Sequence, residues 1–469
     1  MERFNNRTIW QLIESAAKRT LQRAEVDRAT LYSILQSLAV VGIGPVIALL
    51  ITARFNSNLQ GYYYTFGSLS ALQVLADLGL GQAIIQFASH EWSKLRFSED
   101  QEIVGDKDAL SRLISLAQIS LKWYGFAALI CVGAMVVAGN SFFTNAEHHR
   151  VEWLGPWIAF CVAVGLNMVL TPIFYLLQGC NQVAEFWFYR FVLQVLNGLA
   201  LGLAIVSGAE LWSLSIAGFT CIIWSAFFLW TRHPNMIRLI TSKTSGLRVS
   251  WRTEVWPMQW RVAVSWLSTY FTSQMFVPIL FRFADPSVAG QAGLTITVSN
   301  ALLSLANSWM ITKAPRFGML IAQRNFKELD FVFFRALFIS SIVAIFSGLT
   351  VWIAIYILNA VNVPIAERLL SPLSAALLLL TCVVTVQVTA LATYLRSHKK
   401  EPLVAVLLLT SLATTILALL TVGPFGAEGV FASYLAMVLC FEFPLCIVIF
   451  KYSRAKWHSE ALMTSQAST

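Results

Sequence analysis

The sequence predicts an all-α, polytopic membrane protein with about twelve transmembrane helices, arranged as two parallel six-helix lobes around a central cavity. Three observations lead to this prediction: an apolar composition, a one-sided distribution of basic residues, and an internal repeat. Of the 469 residues, 57% are hydrophobic and 12% are charged, and the mean hydropathy is +0.67. Soluble domains carry about 25% charged residues. The composition therefore excludes an ordinary soluble domain.

Apolar runs long enough to cross a bilayer recur along the whole chain. A transmembrane helix needs about 20 predominantly apolar residues. The runs predict twelve spans, numbered in chain order: 31–53, 61–89, 115–139, 153–178, 184–207, 211–231, 258–281, 288–312, 331–358, 370–395, 402–422 and 428–450.

The basic residues predict the orientation of these spans. Of the 33 Lys and Arg residues, only four lie in the connections of one side, namely Arg54, Arg150, Arg282 and Arg368. Lys and Arg are concentrated in cytoplasmic connections, so both termini are predicted to be cytoplasmic and the four arginines external. The net charge of +9 follows from the same rule. Nucleic acid is therefore not an expected partner, because binding it requires a clustered basic surface on a soluble fold.

An internal repeat pairs spans 1–6 with spans 7–12. The Gly-Ala-Glu triplet at 208–210 recurs at 426–428, and Arg-Phe at 54–55 recurs at 282–283. Gly61 then matches Gly290 to within one residue. Because six is an even number, the two halves are parallel and are related by an axis along the membrane normal. Such halves predict a transporter, in which two lobes rock around a cavity.

The repeat and the polar connections divide the chain into five segments. We expect a cytoplasmic amphipathic N-terminal segment, an N-lobe with spans 1–6, a cytoplasmic linker, a C-lobe with spans 7–12, and a cytoplasmic C-terminal tail. Their predicted bounds are 1–30, 31–233, 234–256, 257–451 and 452–469.

Polar residues form matching stripes on spans 2 and 8. Ser70, Gln73 and Asp77 are spaced by three or four residues on span 2, and Asn300 and Asn307 lie on one face of span 8. The stripes predict two walls of a hydrated cavity. The alternative is helix packing, which small and polar residues also mediate in membranes. A charged residue in a span costs about 2.5–3.5 kcal/mol on insertion scales, which favours the cavity for Asp77.

Two further polar residues lie deep in predicted spans. Gln274 in span 7 is a candidate for lining the cavity. Glu442 in span 12 is the second deep carboxylate, and it either binds a proton or pairs with a residue of a neighbouring helix. We assign Asp77 and Glu442 to gating or ion coupling, because intramembrane carboxylates often mark proton relays.

Five arginines near span ends are candidates for binding an anionic group. Guanidinium groups bind phosphate in bidentate geometry. Snorkelling to the interface and the positive-inside rule explain such residues equally well. Arg54 and Arg282 lie at the predicted external mouth, and Arg190, Arg261 and Arg316 lie at the cytoplasmic ends of their spans.

Signatures of enzymatic chemistry are absent from the sequence. It contains no GxxxxGK[ST] loop, no HExxH motif and no nucleophile elbow. The seven cysteines form no CxxC pair, and the six histidines are scattered except for two adjacent ones. We therefore expect no catalytic residues, no metal site, no cofactor and no enzymatic activity.

Several short motifs resemble a known transporter family. The Asp-Leu-Gly-Leu-Gly run at 77–81, followed by Ala-Ile-Ile-Gln-Phe, is similar to the second span of Wzx-type oligosaccharide flippases of the MOP exporter superfamily. Leu-Gln-Gly at 177–179, Tyr-Arg at 189–190 and Glu-Val-Trp-Pro at 254–257 also resemble that family. The chain departs from a symmetric pattern because Asn307 stands opposite Asp77 in the repeat.

The resemblance implies a MOP flippase-like, multi-pass protein of the bacterial inner membrane. It would move a polyprenyl-diphosphate-linked oligosaccharide to the external leaflet by alternating access, for O-antigen or exopolysaccharide synthesis. The implied partners are this lipid-linked oligosaccharide, membrane lipids, and the polysaccharide polymerase and chain-length machinery. The alternatives are an ion-coupled multidrug antiporter of the same superfamily, a lipid II-type flippase, a membrane-embedded polysaccharide polymerase, and an assembly scaffold.

Overall fold

The computed structural model of the chain describes residues 28–73, 77, 80–98, 103–144, 151–242, 246–251, 274–398 and 401–466. The predicted amphipathic segment before residue 28 and the candidate Arg261 lie outside these residues. The N-terminal half contains seven helices of spans 1–6 and one short helix after them: α1 Arg28–Arg54, α2 Ser57–Ser70, α3 Leu80–Trp92, α4 Lys107–Phe143, α5 Leu154–Gly179, α6 Val183–Val206, α7 Trp212–Arg232 and α8 Pro234–Thr241.

The C-terminal half continues the α-helical architecture. The described helices are α9 Phe276–Phe283, α10 Pro286–Ala322, α11 Phe326–Ala360, α12 Pro372–Ser397, α13 Val404–Met437 and α14 Phe443–Gln466, with a π-helical turn at Val438–Glu442 between the last two.

These helices correspond to the predicted spans. Among the described residues, nine helical segments are long and apolar enough to cross a membrane. Span 2 consists of α2 and α3, and span 7 is described only at its predicted external end, α9. The ninth segment, Val404–His458, contains 55 residues. A straight helix of that length would measure about 80 Å, far more than the roughly 30 Å of a hydrocarbon core, so it comprises spans 11 and 12.

The break between spans 11 and 12 lies at the repeated Gly-Ala-Glu triplet. Gly426 interrupts α13 with φ +56° and ψ −137°. Gly208, the first residue of the matching triplet, has φ +82° and follows the end of α6. Glycine adopts positive φ without the steric penalty that a Cβ imposes. The repeat therefore marks the same structural event in both lobes, a sharp turn between the fifth and sixth spans.

A small hairpin departs from the all-α prediction. Strands β1 (Leu95–Phe97) and β2 (Ile103–Gly105) pair antiparallel, with Arg96 opposite Val104. Phe97 packs on Trp92 at the end of α3, with ring centroids 4.8 Å apart.

Helix α4 begins eight residues earlier than the predicted span, because the Asp106 side chain caps it by accepting a hydrogen bond of 2.9 Å from the Ala109 N–H.

An aromatic cluster forms the core of the N-lobe near its predicted external end. Phe66 packs against Trp157 with ring centroids 4.6 Å apart, and the Trp157 Nε1 donates a hydrogen bond of 3.2 Å to the Met135 carbonyl. Phe281 of α9 joins this cluster edge-on, 4.8 Å from Tyr62. Edge-to-face aromatic pairs contribute about 0.5–1.5 kcal/mol beyond the area they bury. The cluster therefore attaches the start of the C-lobe to the N-lobe at this face.

A polar network holds the predicted cytoplasmic end of the C-lobe together. Asp330 of α11 accepts a hydrogen bond of 3.0 Å from Tyr394 of α12. It also accepts a bidentate pair from Arg454 of α14, of which the Nε–Oδ1 distance is 3.0 Å. Tyr394 in turn contacts His458 Nε2 at 3.0 Å. One carboxylate therefore joins three helices.

We expect Asp330→Asn to destabilise the protein by about 1.5–3 kcal/mol, the range for hydrogen bonds to charged groups. The neutral amide cannot accept both guanidinium bonds of Arg454. Thermal unfolding of the purified protein in detergent measures the change. Glu401→Gln provides a control, because the Arg396–Glu401 pair is half exposed at 3.4 Å and surface pairs contribute about 0–1 kcal/mol. Equal losses in the two variants would contradict the assigned role of Asp330.

Candidate functional site

The two lobes meet where spans 2 and 8 cross at the predicted external face. A Cβ on Gly61 of span 2 would overlap the backbone carbonyl of Pro286 at the start of span 8. A Cβ on Gly290 would lie 2.8 Å from the Gly61 backbone nitrogen. Only residues without a side chain allow two backbones to approach this closely. Gly61 and Gly290 are the residues that the repeat pairs, so the contact joins equivalent positions of the two halves.

Polar side chains reinforce this contact from both lobes. The Gln60 Nε2 donates hydrogen bonds to the Gly290 carbonyl at 2.9 Å and to the Arg368 carbonyl at 3.3 Å. The Arg368 Nη1 donates to the Ser57 Oγ at 3.1 Å. Gln60 is fully buried, with an exposed fraction of 1%. The lobes are therefore joined by a hydrogen-bonded contact at this end, which we call the external seal (Ser57–Gly61, Pro286–Gly290 and Arg368).

Towards the predicted cytoplasmic face, spans 2 and 8 pack on different partners. On span 2, a Cβ on Gly81 would overlap the Tyr175 ring of span 4, and Gly179 lies against Ala88. Span 8 packs on α2 of span 2 and on spans 9 and 10, whereas α3, the second helix of span 2, packs on spans 3 and 4. Spans 2 and 8 therefore stay in contact along α2 and diverge beyond it, where α3 belongs to the N-lobe alone.

The diverging surface of span 8 is polar. Thr297, Asn300 and Ser304 are exposed and lie one helical turn apart. On span 2, Gly67 is exposed with open space around it, and Ser70 is partly exposed, with its hydroxyl donating to the Gly67 carbonyl at 2.7 Å. These surfaces are suited to line a hydrated space between the lobes, although the cavity-wall role of Ser70 and Asn300 stays a prediction.

Asp77 lies within the N-lobe, beside the aromatic side chains of two other spans. Its carboxylate accepts a hydrogen bond from the Tyr124 hydroxyl of span 3. Tyr175 of span 4 lies close enough to interact electrostatically with both Asp77 and Arg190 of span 5. The carboxylate therefore joins span 2 to span 3 by a hydrogen bond, with Tyr175 of span 4 close by. Sequence reasoning did not identify either tyrosine, because nothing in the local spacing relates them to Asp77.

A cavity of about 320 Å³ with a mixed polar and apolar lining lies inside the C-lobe. Glu442 lines it from the π-helical turn, and its Oε2 accepts a hydrogen bond of 3.0 Å from the Thr410 hydroxyl. Asn300 and Arg396 line the same space. The structure thus brings two of the predicted site residues, Asn300 and Glu442, to one cavity. Single-turn π-helices occur frequently at functional sites.

A threonine stripe on span 10 provides much of the polar lining, and the sequence analysis missed it. Thr385 and Thr389 line the cavity and belong to a run with four-residue spacing. Each hydroxyl donates to the carbonyl four residues earlier, at 2.9 Å in both cases. The signal was present, since polar residues at this spacing share one helical face. The full stripe is Thr381, Thr385, Thr389 and Thr393.

The four predicted arginines that the structure describes lie at the ends of different helices or on different spans. Arg54 and Arg282 are exposed at the ends of their helices, and the Arg282 guanidinium lies 5.8 Å from the ring centroid of Phe283. Arg190 is exposed on span 5. Arg316 pairs with Glu328 across the turn between spans 8 and 9, at 2.5 Å. The structure does not gather these side chains into one site.

The remaining predicted site residues are amides. Gln73 and Gln274 are partly exposed, at the end of α2 and just before α9. Asn307 is partly buried, and its Oδ1 has no hydrogen-bond partner among the described residues. Within those residues no group of His, Cys, Asp and Glu is arranged to hold a metal ion.

Comparison with known proteins identifies the fold. Neither a protein-family model nor a curated protein sequence matches the chain. Among solved structures, the lipid II flippase MurJ in an inward closed conformation aligns with a TM-score of 0.57 at 12% identity, over 92% of this chain and 91% of that one. An inward-facing multidrug resistance MATE family transporter of the MOP superfamily gives 0.54 at 13% identity, over 88% and 98%.

A third solved structure, a MATE transporter from Vibrio cholerae, gives a TM-score of 0.51 at 12% identity, over 96% of this chain and 98% of that one. These likenesses extend over nearly the whole length of each chain, so they include both lobes. They confirm the predicted fold class, whereas the narrower Wzx-type resemblance stays a prediction. The protein is a multi-pass membrane protein with the twelve-helix, two-lobe fold of the MOP superfamily transporters.

Proposed function

We propose that this protein flips a polyprenyl-diphosphate-linked oligosaccharide across the bacterial inner membrane by alternating access. The observation that carries the proposal is the arrangement of spans 2 and 8. They form a sealed contact at Gly61 and Gly290 and diverge towards the other face, where Thr297 and Asn300 are exposed. We infer from this arrangement a transporter that is open to one side only, in which separation of the lobes at the seal would open the other side.

The physics of the substrate explains why a polar cavity is needed. A glycan and a diphosphate cannot cross hydrocarbon, because each unpaired polar group costs several kcal/mol there. The prenyl tail can remain in the bilayer throughout. A cavity with polar walls lowers the barrier for the headgroup alone, and a seal that alternates between the two faces prevents a continuous leak.

We assign substrate contacts to side chains on both lobes. The exposed guanidinium of Arg190 and that of Arg396, which lines the C-lobe cavity with Asn300, supply bidentate donors for phosphate oxygens. Asn300, Thr385 and Thr389 are suited to sugar hydroxyls. Arg54 and Arg282, at the opposite face, would receive the diphosphate after the lobes have rocked. Polysaccharide polymerase and chain-length proteins would then act on the exported unit.

Energy for directional transport would come from an ion gradient, with Asp77 or Glu442 binding and releasing a proton. Both carboxylates are held by hydroxyl groups, Asp77 by Tyr124 and Glu442 by Thr410. Glu442 lies in the π-helical turn of its span, and Asp77 follows the turn at residues 71–72 that ends α2. A change of charge at such a position would alter the local helix geometry and so bias the lobe arrangement.

Reconstitution tests the proposal directly. Purified protein in liposomes should increase the fraction of a fluorescent polyprenyl-diphosphate oligosaccharide that is accessible to an external quencher. Asn300→Leu should reduce the initial rate by about tenfold, which corresponds to about 1.4 kcal/mol for the loss of one polar contact. Leu305→Ala, at an exposed apolar position on the same span, is the matched control. Liposomes in which the lipid stays on one side in the presence of wild-type protein would refute flipping.

The second candidate is an ion-coupled multidrug antiporter. It is favoured by the buried carboxylate Glu442, which lines the C-lobe cavity and is suited to a cationic drug. The same liposomes distinguish the two functions, since an antiporter would extrude a cationic dye and leave the lipid in place. A membrane-embedded polymerase is less compatible with the described connections at the predicted external face, such as residues 55–56, 207–211 and 284–285, which are short.

A further inference from the structure

A basic groove lies on the surface of the C-lobe, between spans 8 and 9. It encloses about 590 Å³ near the predicted cytoplasmic face. Lys313 and Arg316 line it from span 8, and Arg335 lines it from span 9. The two spans form an antiparallel hairpin around residues 323–325. Lys313 and Arg335 each lie about ten residues from this turn, so they are at the same depth in the membrane.

The charges of this groove are not balanced. Glu328 is the single carboxylate in the lining, and it pairs with Arg316 at 2.5 Å and with the Asn325 Nδ2 at 3.0 Å. Lys313 and Arg335 are exposed, and neither has a hydrogen bond or ion pair within the part of the chain that the structure describes. The groove therefore carries two uncompensated positive charges, a favourable environment for an anion.

Helix length places these charges at the level of lipid phosphates. Span 8 begins at Pro286, beside the external seal, and Lys313 lies 27 residues further on, about 40 Å along the helix at 1.5 Å per residue. A bilayer measures about 40–45 Å including its headgroups. Arg335 lies a similar distance from the end of span 9 at Ala360. Both side chains therefore reach the cytoplasmic headgroup layer.

The walls of the groove are apolar and face lipid. Phe331 and Trp309 line it with exposed fractions of 66% and 36%, and Phe338, two turns beyond Phe331 on span 9, is 66% exposed. Aromatic side chains exposed on a membrane helix contact acyl chains, and Trp is enriched at the membrane interface. The headgroup of a ligand in the groove would thus contact the basic side chains, and its tail would contact the apolar ones.

We propose that the groove formed by Lys313, Arg316 and Arg335 binds the phosphate headgroup of an anionic membrane lipid. Basic pockets between transmembrane helices on the cytoplasmic side suit such headgroups. Lys313 and Arg335 supply the free donors, and the Glu328 pair holds Arg316 in place. The apolar rim selects a lipid over a soluble phosphate compound. The site lies outside the space between spans 2 and 8, and it does not depend on the proposed transport activity.

Native mass spectrometry of the detergent-purified, full-length protein tests the site. We expect retention of phosphatidylglycerol or cardiolipin and little retention of phosphatidylcholine. Because each basic residue at a membrane surface contributes about a fivefold gain in affinity for anionic lipid, the double variant Lys313→Gln, Arg335→Gln should bind about 25-fold more weakly. Its melting temperature in detergent should match that of wild type, since both side chains are exposed.

Further arms separate the possible ligands. Lys451→Gln removes one positive charge from an exposed residue of α14 and should leave lipid binding unchanged. Arg335→Lys, which keeps the charge at that position, should retain most of the wild-type lipid binding. A polyprenyl phosphate that competes with phosphatidylglycerol would identify the lipid carrier as the preferred occupant, and failure to compete would identify the phospholipid. Equal binding by wild type and double variant, an equal loss in Lys451→Gln, or displacement of the lipid by inorganic diphosphate would each overturn the proposal.

Discussion

A Gly61→Ala variant is expected to open the external seal and shift the protein towards the opposite arrangement of its lobes. The added Cβ would overlap the Pro286 carbonyl, which is a backbone atom and cannot rotate away. Overpacking of this kind costs about 1–3 kcal/mol. Because only the sealed arrangement of the lobes is destabilised, a cost of that size changes the ratio of the sealed to the opposite arrangement by about 5- to 150-fold. The backbone itself is tolerant, because alanine favours a helix more than glycine does.

The distance between spin labels across the seal measures this shift. Labels on Ala53 of span 1 and Val361 at the end of span 9 are both exposed on the predicted external face, on opposite lobes. Of the seven cysteines, Cys440 is the exposed one and would be replaced by serine. Double electron–electron resonance should show a longer distance population in Gly61→Ala.

Gly67→Ala is the matched control on the same helix, because a Cβ at Gly67 meets nothing within 4 Å. It should leave the distance distribution unchanged. If Gly61→Ala and Gly67→Ala give the same distribution, the contact between spans 2 and 8 does not hold the lobes closed, and the alternating-access proposal loses its structural basis. A transport assay on the same variants should show a loss for Gly61→Ala alone.

An Asp77→Asn variant is expected to lose the dependence of transport on a proton gradient. Asparagine keeps an oxygen that accepts the hydrogen bond from Tyr124, so the local packing is retained while the titratable charge is removed. We expect a reduction of about tenfold to hundredfold in the gradient-driven rate. This range corresponds to about 1.4–2.8 kcal/mol, which we ascribe to the lost titratable charge and not to the retained hydrogen bond. Liposomes with and without an imposed pH gradient provide the measurement.

Two companion variants make this result specific. Tyr124→Phe keeps the Asp77 carboxylate and removes one hydroxyl donor, so its rate should fall while the dependence on the gradient remains. Glu442→Gln tests the rival carboxylate, which retains a donor from Thr410 in either form. If Glu442→Gln abolishes the gradient dependence and Asp77→Asn does not, the coupling group lies in the C-lobe. If neither variant changes it, the proposed proton coupling is wrong.

The positions of the spans could be predicted from sequence because they depend on local composition. Any apolar run of sufficient length must form a helix in a bilayer, since its backbone groups have no other partners there. The repeated Gly-Ala-Glu triplet was also visible in the local sequence. Its glycines adopt positive φ in both lobes. The hairpin at Leu95–Phe97 could not be predicted, because three-residue strands carry almost no periodic signal.

The candidate site was predictable only in part. Span 2 and span 8 were chosen for their polar stripes, and their contact at Gly61 and Gly290 agrees with the repeat that pairs them. The hydrogen bond between Asp77 and Tyr124 joins residues 47 positions apart, on helices whose rotation no local pattern fixes. The threonine stripe of span 10 was visible in the sequence, but only its place in the cavity beside Glu442 gives it meaning.

The sequence by itself determined the membrane class, the number of spans and their pairing into two halves, because these follow from hydrophobicity, length and repetition along one dimension. Only the tertiary structure decided which face the two lobes seal, which side chains hold Asp77 and Glu442, and where Lys313 meets Arg335. Those features depend on how helices rotate and cross. Such geometry is set by packing between distant segments, and above all by the two glycines whose missing side chains allow spans 2 and 8 to touch.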